Sequence, residues 1–502
     1  MTDNTIILPV IMHMLIAVVL IFLWNLPRVQ KFVSVAGSIL VLLVSILMFY
    51  RTWTTGILTT QAGNWQAPFG ITFVSDVFSS MLVLLASIAG VAVSIFSIVG
   101  IRKERLRYGY FPILHFLLMG LNGAFLTGDI FNLYVWFEII IIASFVLMTL
   151  GGRKPQIGGG IKYVTINLFA SIIFLTAIGI LYGLTGSLNI ADLSLKIADV
   201  ENRGLVNVTA MLFFASFGIK SAIFPLYFWL PASYHTPPSA IAAIFAGLLT
   251  KVGIYAMLRV FTLIFVPDDF TRNIIIIIAT ATLLTGAFGA LIKKDLRQIF
   301  SYLIISHIGY LIAGIGMFTE VALTGLMFYL FHDIMVKTNL FLISGVIVKI
   351  RGTVKLRELG GLYDEYPKLS LLIAIVFFSL VGVPPLSGFW PKISLLYAAF
   401  ETGSWILIFA IIISSFFTLY IIARIWAEVF WKPAPALDHL PEDGFSRMRF
   451  FDKTTMILPL IILALVSVYM GIAAENIMLI SKHIAVEMID TSPYIQAVLG
   501  TN

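Results

Sequence analysis

An all-α, polytopic membrane protein is the fold class this sequence predicts, and three observations carry the prediction. The chain has 502 residues, of which 60% are hydrophobic and 11% charged, against roughly 25% charged in soluble domains. Apolar runs of about 20 residues, each able to cross a ~30 Å hydrocarbon core, recur from end to end. The basic residues also alternate from loop to loop, as membrane insertion demands.

Hydropathy places about fourteen spans: 6–24, 31–50, 77–99, 111–128, 130–150, 159–185, 205–231, 238–264, 272–292, 299–318, 320–349, 369–400, 404–431 and 453–474. The N-terminal MTDNTIILPV lacks the basic region of a cleavable signal and reads as the start of the first span. Odd-numbered loops hold 21 of the 32 Lys and Arg residues, whereas even-numbered loops hold four, Arg51, Lys196, Arg203 and Arg272. That asymmetry predicts odd loops in the cytoplasm and both termini outside. The net charge of +7 is therefore a feature of topology and calls for no nucleic-acid partner. Segments 51–75 and 186–204 read as semi-polar outer loops, the second amphipathic enough to lie along the interface.

The absence of cysteine excludes thiolate-held iron–sulfur clusters, CxxC redox motifs and disulfides. There is no P-loop, no HExxH and no GxGxxG leading from a strand, so the chain predicts neither an enzyme nor a cofactor. GGRKPQIGGG (151–160) lacks the GK[ST] ending that grips phosphate and reads as a cytoplasmic turn.

Six ionisable side chains fall well inside the spans: Glu138, Lys220, Lys251, Asp333, Lys337 and Lys392, accompanied by His307 and His332. A charge at a helix centre costs ~2.5–3.5 kcal/mol even on lenient insertion scales. Snorkelling explains Arg259 and Arg424, which lie nearer span ends. It does not explain four lysines in four separate spans, which mark an ion pathway. Nothing basic lies one turn from Glu138, so its partner must come from another helix or subunit. His332 and Lys337 share a span but point about 140° apart on a regular helix.

Two spans are too long for one straight crossing. Span 369–400 would measure about 48 Å and span 205–231 about 40 Å. Pro384 and Pro385 withdraw amides from the carbonyls of Leu380 and Val381, and Pro225 does the same to Ser221. Broken backbone at membrane depth survives only inside protein or beside water. With five spans per unit, the broken helix comes fourth in both 111–264 and 272–431, which predicts two inverted repeats with a midplane site. Residues 1–110 then form three leading helices, and 453–502 a last helix and tail.

GIKSAIFPLYFWLPASYHTPPSAIAAIFAGLLTKVGIYAMLR (218–259), TGDIFNLYVWFEI (127–139) and GVPPLSGFWPK (382–392) carry a resemblance over nearly the whole chain. They resemble the antiporter-like subunits shared by respiratory complex I and the multisubunit Mrp-type sodium/proton antiporters. The resemblance implies fourteen helices in two inverted five-helix repeats. It implies a charge pair of Glu138 with Lys220, a path continuing through Lys251, and Lys392 at a proton exit or facing the next subunit. By likeness of FHDIMVKTNLFLISG (331–345), His332 and Lys337 fall on the proton path, which His307 joins, while Asp333 has no assigned role. It further implies other membrane subunits as partners, protons and sodium as transported ions, and a bacterial cytoplasmic membrane. The alternative is the equivalent proton-pumping subunit of a complex I-like or membrane hydrogenase assembly. No compact cluster of carboxylates and carbonyls locates a sodium site.

Overall fold

The computed structural model describes residues 3–435 and 443–500. The middle of the basic loop between Lys432 and Lys453 lies outside the described residues. Eleven helices among those described are long and apolar enough to cross a membrane, and Tyr110–Leu126 and Pro367–Val381 are shorter apolar helices. Three helices are nearly enclosed by protein: Ser239–Leu263, Leu296–Met317 and the 32-residue Glu320–Arg351. Helices apolar all round belong in the interior of a bundle, and Glu320–Arg351 packs there against the helices on every side of it. Peripheral helices such as Pro27–Thr55 turn Phe32, Leu43 and Leu47 outward, the surface expected toward lipid.

Both long spans are interrupted, and in the same way. The first runs Arg203–Ser221, then resumes as Trp229–Ser233. The second runs Pro367–Val381, then Phe389–Glu401. Each helix ends on a left-handed residue, Ala222 (φ 60°) or Gly382 (φ 89°). At the first, Ile223 N–H bonds Gly218 O at 3.0 Å and Ala222 N–H bonds Ile219 O at 3.1 Å. At the second, Val383 N–H bonds Phe378 O at 3.0 Å and Gly382 N–H bonds Ser379 O at 3.2 Å. This is the Schellman ending, which satisfies last-turn carbonyls before the chain departs. The left-handed residues stand ahead of Pro225 and Pro385, so the prolines keep the chain from resuming rather than cutting it.

A second backbone feature also occurs twice. Ile130 N–H bonds Leu188 O and Ile190 N–H bonds Gly128 O, both at 2.9 Å, around the Asp129–Asn189 bridge. Leu296 N–H bonds Val354 O at 2.9 Å and Leu356 N–H bonds Lys294 O at 3.0 Å around Asp295–Lys355.

Two expectations need correction, and two further segments gain definition. Segment 51–75 is not a loop: the second helix continues to Thr55, and Leu58–Gln61 pairs antiparallel with Thr72–Ser75. Those strands are largely buried beneath the N-terminal segment, where Asp3 N–H bonds Thr59 O at 2.9 Å. The turn expected at 151–160 is complete by Arg153, because Pro155 starts the helix Lys154–Thr185 and draws Gly158–Gly160 into its first turns. The tail after the last span is two helices, Ala474–Ile489 and Ser492–Leu499. Segment 186–204 contributes the short helix Ile190–Lys196, whose Ile190, Ala191 and Leu193 are buried.

Candidate functional site

The three enclosed helices bring four ionisable groups together, with one carboxylate at their centre. Asp333 sits fully buried on Glu320–Arg351. Its Oδ2 lies 2.7 Å from Lys251 Nζ, and its Oδ1 lies 3.1 Å from His307 Nδ1 and 3.9 Å from Lys337 Nζ. Lys251 directs its hydrogen bond elsewhere, to Ala246 O at 2.8 Å. That carbonyl lies in a π-helical turn, Phe245–Leu249, of the kind that locally loosens the helical ladder at functional sites. Gly247 permits the close approach, since a Cβ there would stand 2.0 Å from Thr338 Oγ1 on the Asp333 helix.

Lys337 also donates to Leu303 O at 3.1 Å. His307 Nδ1 is 2.9 Å from Tyr329 OH. His332 and Lys337, which share a helix, do not meet: His332 Nδ1 instead pairs with Ser387 Oγ at 2.8 Å, and Ser387 Oγ with Ser379 Oγ at 2.8 Å. The second helix break is thereby tied to the cluster. Lys392 completes that side, donating to Val381 O at 2.7 Å and Leu380 O at 3.3 Å. Leu380 and Val381 are last-turn carbonyls that the helix ending at Gly382 leaves without amides, and the proline pair supplies none. The ammonium thus replaces missing backbone donors, a charge-assisted arrangement stronger than a neutral one.

The first break is arranged differently. Lys220 is buried, donates to Ser171 Oγ at 3.1 Å and lies 4.6 Å from the centroid of the Phe137 ring. A cation over an aromatic face is attracted by the ring quadrupole. Glu138, next to Phe137, is only half-buried and forms no ion pair within 4 Å among the described residues. It acts on Lys220 through its field at longer range. Trp229 Nε1 bonds Ile219 O at 2.9 Å across this break, the role that Lys392 fills at the other.

Several buried polar atoms beside these groups have no hydrogen-bond partner among the described residues: Glu138 Oε1, Ser221 Oγ, Thr250 Oγ1, Tyr234 OH, and Nε2 of both His307 and His332. Buried polar atoms of this kind are where ordered water binds in proteins.

Asp333 is the centre that sequence reasoning left unassigned. A signal existed, because Asp333 and Lys337 stand four residues apart, the spacing that puts opposite charges on one helix face. Arg259 does not snorkel. It is buried and paired with Asp76, Nη2 to Oδ2 at 2.5 Å, because protein encloses its helix on every side and leaves the charge no route to solvent. Arg424 likewise turns inward and donates to Leu291 O at 2.7 Å and Lys293 O at 3.1 Å, capping the neighbouring helix.

Among curated proteins, the chain is 42% identical to a Na(+)/H(+) antiporter subunit of Alkalihalophilus pseudofirmus and 38% identical to its namesake in Bacillus subtilis, over 99% of each pair of chains. A chain in the Mrp complex of a Dietzia species superposes with a TM-score of 0.89 at 28% identity, covering 99% of both. A chain of respiratory complex I from Thermus thermophilus shares the fold at a TM-score of 0.80 and 22% identity, covering 96% of this chain and 99% of that one. The family model for the transmembrane region of NADH:quinone oxidoreductase and Mrp antiporter proteins matches residues 127–418. With full-length relatives at this identity and a family match across more than half its residues, the chain belongs to the NADH:quinone oxidoreductase/Mrp antiporter transmembrane family.

Proposed function

We propose that this chain is the proton-translocating subunit of a multisubunit sodium/proton antiporter, working beside other membrane subunits in a bacterial cytoplasmic membrane. The observation that carries the reading is the buried Lys251–Asp333 ion pair, flanked by His307 and Lys337. Full-length relatives named as Na(+)/H(+) antiporter subunits favour sodium exchange over the redox-driven alternative.

The route runs from Glu138 and Lys220 through Lys251 and Asp333 to His307, Lys337 and Lys392, with His332 beside it. Ordered water at the unpartnered buried polar atoms connects the steps. Asp333 is the mobile counter-charge. It stands 2.7 Å from one ammonium and 3.9 Å from another, so a small rotation exchanges its partner. A buried ammonium that loses its carboxylate holds its proton less tightly, and one that gains a carboxylate holds it more tightly. A proton then moves from Lys251 toward Lys337 as the carboxylate moves. One charge crossing 100 mV supplies ~2.3 kcal/mol, enough to bias such a step.

The proposed topology has fourteen spans with both termini outside, comprising leading helices in 1–110, inverted repeats 111–264 and 272–431, and a closing segment 453–502. The two matched Schellman endings and the two matched bridges support the repeats. The breaks at Pro225 and at Pro384–Pro385 hold Lys220 and Lys392 at depth. The test is sodium-driven pH change in everted vesicles carrying the whole complex, with Glu138→Ala, Lys220→Ala and Lys251→Ala. Undiminished exchange in complexes that assemble normally would remove the route.

A further inference from the structure

A second set of charges lies away from this route, on the face of the molecule that carries both chain ends. Arg259 holds Asp76 through both carboxylate oxygens, at 2.5 Å each. Its Nε donates to Tyr255 OH at 3.0 Å, and Tyr255 OH donates to Phe125 O at 2.6 Å. Arg259 and Asp76 line a cavity of about 10 Å³ together with Glu487 and Tyr494, room for roughly one water. Thr262 and Leu263 line both this cavity and an open crevice of about 480 Å³. Glu487 Oε1 lies 3.2 Å from Nε2 of the exposed His483, one helical turn back. Glu487 Oε2 is buried without a hydrogen-bond partner among the described residues.

The helix that carries Arg259 also carries Lys251. Lys251, Tyr255 and Arg259 are spaced four residues apart, which stacks them on one face at about 6 Å of rise per step. The Asp333 pair and the Asp76 pair are therefore opposite ends of a single polar stripe inside an otherwise apolar helix.

We infer that Glu487 is a proton-exchange site on the terminal face, relayed to solvent by His483 and joined along the Lys251–Tyr255–Arg259 stripe to the central ion pair. One guanidinium faces two carboxylates, and Asp76 takes it through both oxygens. Glu487 is left beside a neutral pair in a partly desolvated site, where it accepts a proton readily. Burial first, then the negative charge of Asp76, pushes the Glu487 carboxyl up to about 8, against the pull of Arg259. The group is protonated below that pH and ionised above it. In the step, an excess proton arriving at the cavity water passes to the Glu487 carboxylate and leaves neutral water behind, and the carboxylic acid gives that proton up through His483 to bulk solvent, returning to carboxylate. No bond to carbon changes.

This inference rests on the proton-translocating reading, and the test separates the two. Sodium-driven exchange is measured in vesicles carrying the whole complex, with the pH on the terminal side varied around 8. Glu487→Gln keeps the shape but cannot exchange a proton, so it lowers the rate at least about tenfold and removes the inflection near 8. Glu487→Asp retains both in part. Should Glu487→Gln fail to assemble, His483→Gln decides: its exposed site tolerates the change, and the expected result is a slower rate with a weakened inflection. A wild-type rate and pH profile in whichever variant assembles overturns the inference. Asp333→Asn is the control: if it too leaves exchange intact, the parent reading has failed instead.

Discussion

The breaks near Pro225 and Pro385 share a backbone and differ in where they put the charge. Both end a helix with the same pair of hydrogen bonds around a left-handed residue. Both resume with an aromatic residue, Trp229 or Phe389. At the first, the lysine precedes the break and points away from it, to Ser171, while a neutral indole satisfies the helix end. At the second, the lysine follows the break and reaches back to the freed carbonyls itself. The paired 32-residue helices differ in the same sense. Tyr163, Asn167 and Ser171 on Lys154–Thr185 occupy the places that Tyr329, Asp333 and Lys337 take on Glu320–Arg351, at a constant spacing of 166 residues (Tyr163 to Tyr329). On the proposed repeats, one scaffold is used twice, with neutral polar groups in one copy where the other has charges. The central ion pair joins the copies, with Lys251 from the first and Asp333 from the second.

The comparison breaks most visibly at Asp333. Asp333→Asn preserves shape but leaves the Lys251 and Lys337 ammoniums without a counter-charge in an interior enclosed by protein. Removing one partner of a buried pair costs about 3–5 kcal/mol, so the purified complex should melt earlier and sodium-driven exchange should fall to background. The neutral counterpart, Asn167, donates among the described residues only to Tyr163 O, at 2.9 Å. Asn167→Ala is expected to leave exchange near the wild-type rate. Equal damage from both changes would mean that the copies share one role.

The lysines at the breaks give the next contrast. Lys392→Ala leaves the carbonyls of Leu380 and Val381 without their donor, a loss of about 1–3 kcal/mol, and stops exchange. Lys220→Ala stops exchange as well, but no backbone group among the described residues depends on Lys220, so the melting temperature should stay close to that of the unaltered complex. Thermal melts beside vesicle assays read the two effects separately.

How much of this the sequence reveals follows from what hydropathy can encode. Length and apolar content place the spans, and proline against a 32-residue run marks the breaks. The left-handed endings are less visible, because Ala222 has no glycine to signal them. Partnership inside the bundle is less visible still. Glu320–Arg351 is buried all round, so no exposed face tells which side of it carries Asp333 toward Lys251. Only the four-residue step to Lys337 hinted at the pairing. Arg259 misled for a related reason: nearness to a span end suggests solvent, while the opposing Asp76 lies 183 residues away. The buried hairpin at 58–75 was masked by its Gly, Asn and Pro residues, which read as loop when its cover by the N-terminal segment is unknown.

A smaller effect is expected at Gly247, which sets the distance between the two copies where they meet. Gly247→Ala would place a methyl 2.0 Å from Thr338 Oγ1 and 3.2 Å from Ile334 O. Overpacking of this kind costs about 1–3 kcal/mol, and here it lengthens the 2.7 Å Lys251–Asp333 contact. Exchange should slow without vanishing, and the companion change Thr338→Ser, which removes a methyl but keeps the hydroxyl, should rescue it little. Rescue by Thr338→Ala, which removes the clashing oxygen, would locate the defect at that contact.

The finest test concerns Ser171, which stands where the second copy has Lys337. Its hydroxyl is the hydrogen-bond acceptor for Lys220, while the Phe137 ring and the field of Glu138 also hold that ammonium. Ser171→Ala therefore removes one of three attractions, worth about 0.5–1.5 kcal/mol. Since 1.4 kcal/mol is tenfold in an equilibrium constant, exchange should fall by about two- to tenfold, and Ser171→Thr should restore it by keeping the hydroxyl. Loss as complete as in Lys220→Ala would mean that the hydroxyl carries the proton onward rather than merely solvating the lysine. The first copy would then relay protons through a neutral side chain at the position where the second copy uses an ammonium.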